Sequence, residues 1–222
     1  IGNKGVIYQD QWVQVQYDSK FNLNRDDPEC GDFKIIMQFT SNSGPITIRR
    51  ANVLSSEGCN LKLHPIKMVN DHPQLFIDGT CIGVVNKLPL LQIKFNQDAQ
   101  ERLLEFSLPI FVHKFFVPEQ SDVNTFEQMY AAYNNKNEVF KLDEFIKNPS
   151  PGVPLIQVMQ KIGGLMGQGI GMQALAYPNP QNCKKVVALA RYCFKGKGSN
   201  NYFPIICEIE GYEEHYEQLR FS

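Results

Sequence analysis

The feature that most constrains this chain is its punctuation. Through the first half, clusters of turn-forming residues interrupt short apolar runs at a nearly regular interval: Asp26-Asp27-Pro28, Ser41-Asn42-Ser43-Gly44-Pro45, Ser55-Ser56-Glu57-Gly58, Asn70-Asp71-His72-Pro73 and Asn96-Gln97-Asp98. Pro fixes φ and removes an amide donor, Gly and Asn accept left-handed backbone, and Asp and Ser bond nearby backbone groups, so each cluster stops a strand. Between them lie Phe33 to Phe39, Ile46 to Val53, Leu61 to Met68, Leu75 to Val85, Leu90 to Phe95 and Leu103 to Phe106. Seven or eight strands in about 105 residues predict an antiparallel sandwich. The segment Gln11-Trp12-Val13-Gln14-Val15-Gln16-Tyr17 alternates polar and apolar residues with the period of a half-buried strand. That pattern turns Trp12, the only tryptophan, toward the core, where truncation to Ala would cost about 3–5 kcal/mol.

From Leu108 onward helical spacing appears. Ser121 and Asp122 can cap a segment in which Val123, Phe126, Met129, Tyr130 and Tyr133 recur at helical intervals, ended by Asn134-Asn135. A short strand is expected at Glu138 to Leu142. Pro154 then opens a second amphipathic helix with Leu155, Ile156, Val158, Met159 and Ile162, which Gly163-Gly164 is expected to end. Strand-like runs at Lys185 to Phe194, Tyr202 to Ile209 and His215 to Phe221 complete an α+β half with a mainly antiparallel sheet. The expected division is a sandwich over 1–107 and a second subdomain over 108–222.

Charge removes one class of partner. With 22 basic and 23 acidic side chains the net charge is −1, so the chain lacks the basic excess that gives non-specific affinity for nucleic acid. No apolar run reaches the roughly 20 residues of a spanning helix, and the start lacks a secretory signal pattern, so the chain reads as soluble with no membrane insertion. The six cysteines, Cys30, Cys59, Cys81, Cys183, Cys193 and Cys207, are scattered without a CxxC pair, which argues against a zinc module and for buried thiols in a reducing cytosol. No metal or cofactor is expected.

Signals for catalysis are weak. The glycine cluster Gly163 to Gly171 follows a helix and lacks the GK[ST] ending of a phosphate loop. His64, His72, His113 and His215 lie far apart, no serine sits in a GxSxG elbow, and the acidic run Glu208, Glu210, Glu213, Glu214, Glu217 reads as a solvated edge or loop. A non-enzyme is expected. The first helix, by contrast, has more large side chains than one stripe needs. Phe126, Met129, Tyr130 and Tyr133 subtend a wide arc, which suits either a wholly buried helix or a shallow pocket for a peptide motif.

Three segments resemble the appendage, or ear, domain of alpha-adaptin, a large subunit of the plasma-membrane clathrin adaptor complex. Asn3-Lys4-Gly5-Val6-Ile7-Tyr8-Gln9-Asp10 is similar to its first strand and turn. Leu108-Pro109-Ile110-Phe111-Val112-His113-Lys114-Phe115-Phe116-Val117-Pro118 is similar to its LPI...KFF.P junction, and Pro178-Asn179-Pro180-Gln181-Asn182 to its PNP.N turn. They occur in the family's order and cover almost the whole chain. The resemblance implies an immunoglobulin-like β-sandwich followed by an α+β platform. It also implies a non-enzymatic hub on which DPF, DPW, FxDxF and WxxF motifs of disordered endocytic accessory proteins dock, working from the cytosolic face of the plasma membrane at clathrin-coated pits. Other adaptor subunits would be reached through a trunk outside this sequence, and the appendage itself would be monomeric. The beta-adaptin and coatomer appendages share the architecture.

Residue by residue, the family's platform pocket carries a Phe and, three positions on, a Trp. Here Phe126 matches the Phe, Met129 replaces the Trp, and Tyr130 follows as a partial substitute. Of the two family arginines that hold the motif's carboxylate, Arg220 matches the second if one residue is inserted in the Gly211 to His215 turn. The first is Glu208, a reversal of charge, while the acidic residue two positions later is kept as Glu210. Arg191 and Lys195 are the cations on the preceding strand that could compensate. The ending Leu219-Arg220-Phe221-Ser222 reads as mid-strand, so a closing element beyond it is expected.

Overall fold

The structure, a computed structural model, describes residues 3–24, 27, 30–134, 144–147, 153, 155–167, 172–175, 185–196, 200–211 and 218–221. The architecture is mainly β with an α+β part. The chain forms two compact units, Ile1–Phe115 with Cys193–Asn201, and Phe116–Tyr192 with Tyr202–Ser222.

The first unit is an antiparallel sandwich. One sheet runs β1 (Lys4–Gln9), β2 (Val13–Phe21), β3 (Asp32–Ser41), β7 (His72–Cys81) and β5 (Cys59–Leu63), with β6 (Lys67–Val69) also on β7; the other runs β4 (Ile46–Ser55), β8 (Leu90–Gln97), β9 (Gln100–Ser107). Period-two alternation supplies the core. Phe33, Ile35, Met37 and Phe39 on β3, Leu75 and Ile77 on β7, and Leu91, Ile93 and Phe95 on β8 are buried, while their neighbours along each strand are more exposed. Register aligns these rows, with Ile35 opposite Ile77 and Met37 opposite Leu75. Phe115, at the end of a short 3₁₀ turn over Val112–Phe115, meets Phe21 and Phe33 edge-on at 5.4 and 5.7 Å. The first strand, which the resemblance implied, pairs with β2 from Lys4 opposite Asp18 to Gln9 opposite Gln14.

Trp12 is not where the alternation predicted. The Asp10 carboxylate accepts the amides of Trp12 and Val13 at 2.7 and 2.8 Å, and the Asp10 amide donates to the Val13 carbonyl at 3.0 Å. Residues 10–12 are therefore a turn, and β2 begins at Val13. Val13 and Val15 point inward; Trp12 is half-buried, with the Arg102 guanidinium 3.9 Å above its ring. The run Leu61 to Met68 is likewise split into β5 and β6, because Pro65 offers no amide to the ladder.

The second unit is a platform. Its sheet has the order β10 (Phe116–Pro118), β13 (Lys185–Lys195), β14 (Asn200–Gly211), β15 (Gln218–Phe221), β11 (Glu144–Lys147), with β12 (Gln173–Leu175) also pairing with β13. Helix α2 (Leu155–Leu165) packs Val158 and Met159 against Val186, Ala188, Ala190 and Ile209. It runs through Gly163-Gly164 rather than ending there. Each glycine costs about 1 kcal/mol in a helix, but the turn is anchored beyond them by buried Met166, whose carbonyl accepts the Met172 amide at 3.2 Å. The strand expected at Glu138 to Leu142, Pro154, the Pro178 to Asn182 turn and Cys183 lie outside the described residues.

Candidate functional site

Helix α1 (Val123–Asn134) starts where the sequence places it. The Asp122 carboxylate accepts the Thr125 amide at 2.7 Å, and its carbonyl accepts the Phe126 amide at 3.0 Å. That capping bond, followed by one to the Thr125 side chain, holds the Asp122 carboxyl below its usual range.

The cap fixes the helix phase, and the phase distributes the large side chains. Phe126 is only 1% exposed and packs on Val187 and Leu189 of β13. Tyr130, one turn on, stacks over it with ring centroids 5.7 Å apart and 22° between planes. Met129 and Tyr130, with Ile206 of β14, are half-buried at the border of this small cluster. Phe126 is thus a buried support, while Met129 and Tyr130 are the side chains that reach the surface. Of the wide arc seen in the sequence, the Tyr133 side chain lies outside the described residues.

Strand parity shows what shares this face. On β13, Val187 and Leu189 face α1, whereas Val186, Ala188 and Ala190 face α2; on β14, Ile206 faces α1 while Ile205, Cys207 and Ile209 face α2. Period two therefore places Arg191 with Leu189, and Glu208 with Ile206, on the α1 side. Glu208 is 8% exposed. Arg191 forms an ion pair with Glu119, a bond that raises the guanidinium's already high pKa. Lys195 lies 3.4 Å from Asp32. Glu210 and Arg220 are direct partners across β14 and β15, and Phe145 is the partner of Arg220 on β11; their side chains lie outside the described ones.

Burial, then the Glu208 carboxylate, pushes the Cys207 thiol up to about 12, far from the thiolate a nucleophile requires. Among the described residues no group of three or more His, Cys, Asp or Glu side chains is placed to hold a metal, and no helix is long and apolar enough to cross a membrane.

An open groove of about 370 Å³ lies on the outer face of β3, β7 and β5, at residues that no sequence pattern singled out. Lys34 and Lys62 stand opposite Asp78 on either side. Asp78 pairs with His64 at 2.7 Å, and Asp32 accepts the Thr80 hydroxyl at 2.6 Å. Only a strand alignment could have revealed it, since its residues come from three separate runs.

No protein-family profile matches this chain. Among solved structures it is similar to the GAE domain of GGA2p from Saccharomyces cerevisiae, with 12% identity and a TM-score of 0.34, covering 49% of this chain and 99% of that one. A likeness of that size leaves function to the residues themselves.

Proposed function

We propose that this chain is a non-enzymatic appendage of a clathrin-adaptor large subunit, of the alpha-adaptin kind, that gathers endocytic accessory proteins by binding their short DPF, DPW, FxDxF or WxxF motifs. The observation that carries this reading is the pair Met129 and Tyr130, half-buried over a fully buried Phe126 on the α1 face of the platform. A rigid aromatic stack beside an adaptable thioether supplies apolar contact area at low entropic cost, which suits weak, reversible docking of one motif. Several motifs on one disordered chain then add avidity without new contacts. The collinear Asn3 to Asp10, Leu108 to Pro118 and Pro178 to Asn182 segments support the family assignment. In this reading the chain works as a monomer from the cytosolic side of coated pits, joined to its adaptor through a trunk outside this sequence.

A second reading concerns specificity and rests on Glu208. Glu208 stands on the α1 face where the family pocket carries an arginine, so the platform offers the aspartate of a DPF-type motif one anchoring cation fewer. The platform then prefers motifs with fewer acidic residues, or the assignment shifts to a related coat-subunit appendage. Calorimetric titration with an FxDxF peptide tests both. Met129→Ala is expected to weaken binding about tenfold, and Glu208→Gln to strengthen it by a similar factor. Affinity unchanged by Met129→Ala overturns the platform site, and affinity unchanged by Glu208→Gln overturns the specificity reading.

A further inference from the structure

Two cysteines far apart in sequence meet in the first unit. Cys30, just before β3, and Cys193, near the end of β13, are both fully buried, and their sulfurs are 2.8 Å apart across a sequence separation of 163. The surrounding backbone is packed to match. Gly31 has φ of +90°, and a Cβ there would lie 3.6 Å from the Lys195 amide nitrogen and 3.8 Å from the Phe194 Cα. On the next residues, Lys195 Nζ lies 3.4 Å from the Asp32 carboxylate. Gly31 also accepts the Cys81 amide at 2.9 Å, which ties the loop to β7. Residues 30–32 and 193–195 are thus held side by side at three successive positions, with the two sulfurs at 2.8 Å, within about 0.8 Å of a disulfide's S–S length.

We infer that Cys30 and Cys193 are a site of oxidative modification, forming an intramolecular disulfide when the protein meets a small-molecule disulfide such as oxidised glutathione. One cysteine thiolate attacks a glutathione sulfur, forms a mixed disulfide and releases one glutathione thiolate. The second cysteine thiolate then attacks the protein sulfur of that mixed disulfide, forms the Cys30–Cys193 bond and releases the second glutathione. Two cysteine thiols are oxidised, and their two protons and two electrons end on two glutathione thiols. Because both sulfurs are buried, exchange proceeds during folding or local opening, and the finished bond is shielded from reductants. The bond fixes the end of β13 to the loop before β3.

Cys59 and Cys81 provide an internal comparison. They stand directly opposite each other on β5 and β7, and the hydrogen bond from Cys81, with burial, pushes the Cys59 thiol up, which disfavours the thiolate that exchange requires.

The test is to refold the full chain in a glutathione buffer, alkylate it, digest it without reduction and map the peptides. The expected product joins the Cys30 and Cys193 peptides, is two hydrogens lighter than their sum and separates on reduction, with two of the six cysteines protected from alkylation. Cys59→Ser should keep the cross-link and Cys30→Ser should abolish it. Alkylation of all six cysteines, or a cross-link between another pair such as Cys59 and Cys81, overturns the inference.

Discussion

Asp10 decides where the second strand starts. Burial pushes its carboxyl up, but the amides of Val13 and Trp12, the Tyr8 hydroxyl and the Arg102 guanidinium together pull it further down, so its pKa lies below the ordinary carboxylate range. The unfolded chain therefore binds this proton more readily than the folded one. The stability it contributes is present above the ordinary carboxylate pKa and is lost as pH falls through the lower folded value. Asp10→Asn is expected to lower the denaturation midpoint at neutral pH, with the difference from wild type shrinking as pH falls through and below the ordinary carboxylate range; a difference independent of pH contradicts this. Trp12 follows from the same turn. Trp12 and Val13 are adjacent apolar residues, so a period of two sets them on opposite faces, and the inward face belongs to Val13 with Val15. Held outside β2 against Arg102, Trp12 matters less than a core residue. Trp12→Ala should cost about 1 kcal/mol, against about 2–5 kcal/mol for Leu91→Ala, which removes a fully buried side chain. Urea denaturation of both variants measures the contrast, and equal losses would return Trp12 to the core.

At the scale of elements, strands with unbroken alternation were legible: β3, β7 and β8 fall within a few residues of their sequence runs. Hairpin turns were legible in place but not in detail. Asn96-Gln97-Asp98 was read as a break, yet β8 runs through Gln97, which is buried and donates through Nε2 to the Ser41 hydroxyl at 2.8 Å and to the Ser43 carbonyl. The turn itself is Asp98-Ala99, with φ of 50° and 63°, between the paired residues Gln97 and Gln100. Both central residues being left-handed defines a two-residue hairpin that favours Asn-Gly or Asp-Gly. Alanine is strained at such a φ by about 1–2 kcal/mol, and this is why the pattern did not announce the turn. Ala99→Gly should stabilise the protein by about 1 kcal/mol, after the entropy that glycine adds to the unfolded chain is deducted. A lowered thermal midpoint contradicts that geometry. Helix α2 shows the opposite override, since packing by Met166 carries it past two glycines that local propensity reads as a stop.

At the scale of the whole molecule, the change from strand punctuation to helical spacing identified a sandwich and an α+β platform, because each rests on a period that sequence carries directly. The candidate site was only partly legible. Helical spacing grouped Phe126, Met129 and Tyr130, but it could not say which of them the sheet covers; that depends on the phase set by the Asp122 cap and on Val187 and Leu189 of a strand some 60 residues away in sequence. Nor could spacing show Arg191 occupied by Glu119, because their meeting depends on the pairing of β10 with β13. The account's central claim is that the α1 face of the platform docks a short aromatic motif. Titration of protein carrying ¹³C-methyl methionine with an FxDxF peptide, followed by NMR, tests it most directly. The account predicts a saturable shift of the Met129 methyl at peptide concentrations up to about 1 mM, with the methyls of Met159 and Met166 beneath the opposite face unmoved. An unmoved Met129 methyl, or equal shifts at all three, would contradict it.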